Sequence, residues 1–470
     1  MAIHVGEICP SRHTIHTPGG TMHLLDDAAR RARAFLDSLH DRAVRPDPLA
    51  AARLDQLDVP VPREPTPPAE VLAQLDEYVS PATMASAGPR FFGFVIGGSL
   101  PVTVAANWLA TAWDQNTCFD SATPGVARLE AIARRWLLEV LDLPRDCAIG
   151  YVTGATVANF TALAAARNSV LKRSGWNVEA DGLFGAPPIQ VIVGEECHPT
   201  LLKSLGMLGL GRNRLTRVPV DAQGRMRADQ LPKITNPAIV CVQAGNVNSG
   251  AFDPFPQICA AARGAGAWIH VDGAFGLWAR ASELLAPLAR GLELADSWAT
   301  DAHKWLNVPY DSGIAFVRDA QALQSAMAIT AEYLPPAQAR RAPCDYTPEL
   351  SRRARGTEIY AALKSLGSEG LAQMIERNCA QARRFAEGLK AAGFEILNDV
   401  VLNQVVVKFG GPERTKRIID AIQADGTCWA GITVWQGHTA MRISVSSWAT
   451  TDLDVERSLE AMLRCARETR

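Results

Sequence analysis

Three short segments carry residue types whose chemistry is complementary. In Asp301-Ala302-His303-Lys304-Trp305-Leu306-Asn307 a lysine stands between a histidine and a tryptophan, in a stretch closed by Pro309 and Tyr310. A lysine held among apolar neighbours and close to another cation loses proton affinity and becomes a nucleophile toward carbonyl carbon. In Ala267-Trp268-Ile269-His270-Val271-Asp272-Gly273-Ala274 an apolar run delivers a carboxylate at its end, followed by small residues. That carboxylate costs desolvation energy unless a cation meets it, and the small residues let a ligand come close to the backbone. In Tyr151-Val152-Thr153-Gly154-Ala155-Thr156-Val157-Ala158-Asn159 an apolar run passes through a Gly/Thr turn into a helix. Backbone N–H groups, the Thr156 hydroxyl and the positive end of the helix dipole then surround an anion. Taken singly, each segment has a plainer reading: a surface lysine beside a packed tryptophan, a capping aspartate, an ordinary helix N-cap.

Taken together, they ask for one ligand with an aldehyde for Lys304, a phosphate for the helix start and a cationic ring nitrogen for Asp272. Pyridoxal 5′-phosphate has all three. The turn after Val152 lacks the lysine of a P-loop, and the chain shows no G-x-G-x-x-G, which disfavours a nucleotide. Beyond residue 40 the histidines are His198, His270, His303 and His438. The first three are expected near the ends of strands, where ligand and catalytic groups gather in α/β sheets. His4, His13, His16 and His23 have no cysteine or carboxylate at ligand spacing, so they read as a solvated arm and no metal is expected.

The elements that position these segments follow from periodicity. Short apolar runs at 148–152, 189–193, 238–242, 267–271, 297–300 and 313–317 alternate with helical stretches. This pattern predicts an α/β fold with a mostly parallel sheet flanked by helices. A long helical stretch to Lys390 leads to strand-like runs at 404–409 and 441–446, expected as a smaller C-terminal α/β domain. The expected organisation is an N-terminal arm and helices over 1–85, a large domain over 86–335, and a loop, connecting helix and small domain over 336–470. Leu24 to Leu39 reads as an amphipathic helix, and the proline-rich 46–68 as a linker or an arm laid on a neighbour. The uncharged stretch from Phe91 to Trp113 holds several glycines and Pro101, and reads as a buried irregular segment rather than a membrane span.

Composition bounds the function. With 470 residues, 48% hydrophobic, 47 basic against 49 acidic residues and a net charge of −2, the chain reads as neither disordered nor a nucleic-acid binder. Ten scattered cysteines without a C-x-x-C pair imply a reducing compartment, and no secretory signal is visible, so the expected location is the cytoplasm.

The three segments, with Pro89-Arg90-Phe91-Phe92-Gly93-Phe94, Cys197-His198-Pro199, Gly245 to Asp253, Ser351-Arg352-Arg353-Ala354-Arg355 and Met441-Arg442-Ile443-Ser444, resemble the group II pyridoxal-phosphate-dependent amino acid decarboxylases. These are the aromatic-L-amino-acid and glutamate decarboxylases, and the likeness runs from about Ala82 to the C-terminus. It implies a fold-type I architecture and decarboxylation of an L-amino acid to the amine and carbon dioxide. By the same resemblance Lys304 would form the internal aldimine, and Asp272 would keep the ring nitrogen protonated. His198 would stack on the ring and border the substrate carboxylate. Ala155, Thr156, His303 and Thr300 would hold the phosphate, and Ala274 would pack under the ring. The family's acid is a loop tyrosine from the partner subunit, for which Tyr346 and Tyr333 are the candidates.

The chain departs from the family at Gly245-Asn246-Val247, where Gly-Thr-Thr is frequent, and Asn246 stands as a replacement hydrogen-bond donor to the cofactor. Its catalytic loop before Ser351 is also a few residues shorter. Phe91, Phe92, Phe94 and Trp113, in the segment that helps form the family's side-chain pocket, lean the substrate toward an aromatic or apolar amino acid, with Phe91 and Phe92 the candidate substrate contacts. A homodimer with a shared active site is implied, with no nucleic-acid or membrane partner. Fold alone does not settle function. An aminotransferase with Arg442 as carboxylate clamp, or an aldol-type carbon–carbon lyase, is the alternative. Arg442 reads equally as one half of an ion pair bracing the domains.

Overall fold

A computed structural model describes residues 18–328 and 342–469. By its internal contacts the chain divides into two units, Met1–Ala85 and Ser86–Arg470. The first is helical, with α1 (Pro18–Ser38), α2 (Pro48–Ala52), α3 (Pro68–Gln74) and α4 (Ser80–Ala82). All four begin at or next to proline, whose fixed φ suits a first turn. His4, His13 and His16 lie outside the described residues, and His23 is an exposed residue of α1.

The second unit opens with α5 (Pro101–Trp113) and α6 (Pro124–Val140), followed by β1 (Ala148–Val152), α7 (Ala155–Arg173), the short α8 (Val178–Asp181) and β2 (Gln190–Gly194). Next come α9 (Pro199–Met207), β3 (Thr216–Val218), β4 (Ala238–Gln243), α10 (Phe255–Gly264), β5 (Trp268–Asp272), β6 (Ser297–Asp301), β7 (Gly313–Val317) and α11 (Ala320–Met327). These strands form one seven-stranded sheet in the order β1-β7-β6-β5-β4-β2-β3. Strands β6, β5, β4, β2 and β3 are mutually parallel, and β7 alone runs against both of its neighbours. Successive strand residues face opposite sides. Ile149, Tyr151, Val240, Val242, Ile269, Val271, Trp298 and Phe316 pack under α6, α10 and the start of the next long helix. Ala148, Val152, Ala299 and Ala315 face α7, itself lined with Ala158, Ala162, Ala165 and Ala166. Small residues on both partners bring α7 close to the sheet, and this fixes where its first turn lies.

The remainder is α12 (Gly356–Ala391), β8 (Glu395–Ile396), β9 (Gln404–Lys408), α13 (Pro412–Asp425), β10 (Gly431–Trp435), β11 (His438–Ser444) and α14 (Asp452–Glu468). Helix α12 is two helices joined at Gly367, which sits at φ 64°. The four strands make an antiparallel sheet ordered β10-β11-β9-β8 over a core of Phe385, Val405, Val407, Ile418, Ile443 and Met462.

Two expectations need correction. Strands β3, β8 and β10 carry no strong apolar run and went unrecognised; β3 and β8 are two or three residues long, and all three sit at sheet edges. The stretch from Phe91 to Trp113 is irregular and largely buried only as far as Leu100, after which it becomes α5, with Val102, Trp108, Leu109 and Trp113 exposed. Among the described residues no helix is long and apolar enough to cross a membrane.

Candidate active site

The C-terminal ends of β1, β5 and β6 bring the three segments to one edge of the large sheet. Alternation along β5 puts His270 and Asp272 on the α7 side. Asp272 is 5% exposed and accepts a long bond, 3.3 Å, from Ala274 N–H to Oδ1. Its other oxygen has no donor among the described residues. Burial pushes the Asp272 carboxyl up, while His198 and Lys304 pull it down. Lys304 follows β6 in a tight turn, and its Nζ lies 3.1 Å from Asp301 Oδ2. That turn is pinned by Asn307, in the left-handed region at φ 56°. Asn307 donates from Nδ2 to the Trp305 and Ser446 carbonyls and accepts from Trp448 N–H. A Cβ on Gly97 would fall 1.8 Å from the Lys304 carbonyl oxygen, so only glycine lets the Phe91–Leu100 segment lie across this turn.

His198 is the N-cap of α9. Its Nδ1 accepts from Thr200 N–H and contacts the Thr200 hydroxyl at 2.7 Å, which leaves the ring proton on Nε2. Burial, Lys304 and Arg442 hold the His198 ring below its usual pKa, against the pull of Asp272. His303 stacks on Tyr310 with ring centroids 4.2 Å apart, accepts Ser312 N–H on Nδ1, and points Nε2 at Asp301 Oδ1 from 3.4 Å. Desolvation lowers its pKa as well, with Asp301 opposing. Ala155 and Thr156 open α7 as expected. The Ala155 N–H donates to Asp301 Oδ1 at 2.5 Å.

Several expected site residues lie elsewhere. Thr300 is one residue out of phase with Asp301, so it faces the opposite side of the sheet, where its hydroxyl donates to the Gly273 carbonyl. Asn246 is committed to its own turn: Oδ1 accepts from Asn248 and Ser249 N–H, and Nδ2 donates to Glu196. Phe92 is 1% exposed and edge-on to Phe385 in the small-sheet core, so it lines no pocket. Phe91 stacks on Trp429 at 5.0 Å. It is Phe94, 62% exposed and stacked on the same Trp429, that offers a ring to solvent. Tyr346, 7% exposed, packs in the alanine-rich layer, its carbonyl lying where a side chain on Gly150 would be. Gly150 precedes the Gly154 turn by four residues, about 13 Å of strand, so Tyr346 is not brought to Lys304 within the chain. Tyr333 lies outside the described residues. His270 is sealed in mid-strand, its nitrogens on Ser297 and Asn159. Arg442 forms no ion pair among the described residues, against the bracing role, and burial pulls its guanidinium down to about 10.

Asp301, Gly97 and Asn307 were missed. The Gly97-Gly98 pair was the available signal for a close backbone approach. Asp301, directly before Ala302-His303-Lys304, was legible as a strand-end carboxylate.

The residues present fit pyridoxal 5′-phosphate. Asp272 is a buried residue with one oxygen that has no donor among the described residues and can receive a ring N–H. The first turn of α7 presents main-chain donors beside Gly154, where a Cβ would meet the His303 ring at 3.2 Å and Asp301 at 3.3 Å. The comparisons agree with this chemistry. Residues 48–409 match the family described as the pyridoxal-dependent decarboxylase conserved domain. The aromatic-L-amino-acid decarboxylase of Bacillus atrophaeus is 26% identical over 76% of this chain and 74% of its own. The L-2,4-diaminobutyrate decarboxylase of Rhizobium meliloti (strain 1021) is 27% identical over 88% and 85%. The crystal structure of Oryza sativa TDC with PLP and tryptamine superposes with a TM-score of 0.89 at 22% identity, covering 97% of this chain and 99% of that one. The chain belongs to the pyridoxal-dependent decarboxylase family. It is a pyridoxal 5′-phosphate-dependent amino acid carboxy-lyase, of the fold-type I architecture expected from its sequence.

Proposed function

We propose that this enzyme decarboxylates an L-amino acid with an aromatic or apolar side chain, as a homodimer in the cytoplasm. The observation that carries the substrate class is the stack Phe91–Trp429–Phe94, which borders the segment lying across the Lys304 turn and ends in an exposed ring. Pyridoxal 5′-phosphate supplies an electron sink for the pair released when the bond from Cα to the carboxylate breaks. In this reading Lys304 would hold the cofactor by its aldehyde carbon, and Asp272 would accept the ring N–H. Ala155, Thr156 and His303 would hold the phosphate, Ala274 would leave room for the ring, and His198 would present Nε2–H to the substrate carboxylate. The homodimer is supported by α5, which turns Val102, Trp108, Leu109 and Trp113 to solvent, an apolar face suited to a second copy. The compartment is supported by the free cysteines, all buried among the described residues.

Arg442 favours a second reading. A mostly buried guanidinium beside His198, without an ion-pair partner among the described residues, suits a carboxylate, which would make the substrate an acidic amino acid. Cofactor-loaded enzyme mixed with the common L-amino acids, followed for carbon dioxide and amine, separates the two. Amines from tryptophan, tyrosine or phenylalanine are expected. Amines from glutamate or aspartate alone would overturn the aromatic assignment.

A further inference from the structure

The most unusual neighbour of the first α7 amide is a carboxylate. Asp301 is 3% exposed. Its Oδ1 takes the Ala155 N–H, His303 Nε2 faces the same oxygen, and Lys304 Nζ sits against Oδ2. This is the helix start at which the site's donors would hold a phosphate. One N–H cannot serve two anions, and like charges at such range do not both stay ionised.

We propose that Asp301 and the cofactor phosphate compete for the start of α7, so that the phosphate is taken up together with one proton from solvent, shared between the two oxyanions. The inference rests on the placement of the phosphate at α7 made above. A phosphate monoester is mostly a dianion above pH 7, so each step up in pH makes that proton scarcer and weakens binding. The charged and titratable groups facing Asp301 are His303 and Lys304 from its own turn, Asp272 from β5, His198 from the turn before α9 and Tyr310 from the segment before β7. Helix α7 contributes main-chain N–H groups and the neutral Thr156 hydroxyl there, and no charged side chain. Lys304 is the one ammonium among these groups, and its amine is needed for the cofactor's aldehyde carbon. Asp301 therefore acts as a positioning residue: it satisfies α7 and Lys304 before the phosphate arrives, and it limits cofactor affinity at high pH.

The probe is pyridoxamine 5′-phosphate, which carries the phosphate but no aldehyde. Its Kd for the full-length, cofactor-stripped protein is read by tryptophan fluorescence from pH 6.5 to 8.5. The wild-type log Kd should climb by one unit per pH unit more steeply than that of Asp301→Asn, and the variant should bind at least tenfold tighter at pH 8. Asparagine keeps an oxygen for the Ala155 N–H; should it fail to fold, Asp301→Ser provides the same neutral comparison. Pyridoxamine, lacking the phosphate, should show no difference in slope. Equal slopes, or weaker binding by the neutral variants, would overturn the proposal. Thr156→Ala separates the two levels of the argument. If it weakens pyridoxamine 5′-phosphate while the slopes stay equal, the phosphate site stands and the role of Asp301 falls. If it changes nothing, the phosphate does not lie at α7 and both fall.

Discussion

Two sets of largely buried polar side chains, one packed around the interior of the large sheet and one gathered at its C-terminal edge, behave differently. In mid-sheet, His270 has both ring nitrogens occupied, and below it Glu130 and Arg352 form a two-pronged pair at 2.6 and 2.8 Å. At the C-terminal edge, Asp272 has one oxygen without a donor, His198 keeps Nε2 in hand, and Arg442 has no counter-ion among the described residues. Burying a polar group costs free energy unless partners replace water. The interior set meets most of that cost within the chain, with Arg352 Nε and Asn159 Nδ2 left over, whereas the edge set turns its spare donors and acceptors toward the Lys304 turn.

The contrast can be broken at either end. Lys304→Ala should cost about 10³-fold or more in turnover while leaving the fold intact; retained activity with native circular dichroism would remove the lysine from the chemistry. Arg352→Ala should lose about 3–5 kcal/mol of stability in urea titration, because it strands Glu130 in the interior. Arg442→Ala should lose less than about 1 kcal/mol and act on KM instead. Equal losses for the two arginines would erase the distinction.

A pH series sharpens it further. Burial holds the folded-state pKa of His270 at about 3, below that of the unfolded chain. The unfolded state therefore binds more protons as pH falls through 6.5, and stability drops toward pH 3. Between pH 7 and 5 the loss from this group should be about 2 kcal/mol, and His270→Gln should flatten it. The smallest effect is expected at Tyr346. Its ring is buried in the alanine-rich layer of its own chain rather than held out to a partner subunit, so Tyr346→Phe should change turnover by less than about threefold, against about 100-fold for loss of a general acid.

The segments that carry chemistry were legible because each is local. Short continuous apolar runs, ending in Asp272 or leading into Gly154 and Lys304, specify strand, turn and reactive group within a few residues, and the sheet followed from their alternation with helices. Their conjunction named the cofactor, and resemblance then named the family. What sequence could not supply were relations across the chain. Phe91 and Phe92 differ by one place, yet β-like alternation sends one ring onto Trp429 and the other into the small-sheet core. Thr300 and Asp301 are neighbours, and the same alternation puts them on opposite faces of β6. Asn246 was free to serve a ligand until folding brought Glu196 and its own turn amides to it. The sequence by itself determined which reactive groups exist and at which strand ends they emerge, since these depend on short-range periodicity. Only the tertiary structure decided which remain unpartnered, because partners come from residues tens to hundreds of positions away that meet only when the sheet, α7 and the Phe91–Leu100 segment pack together.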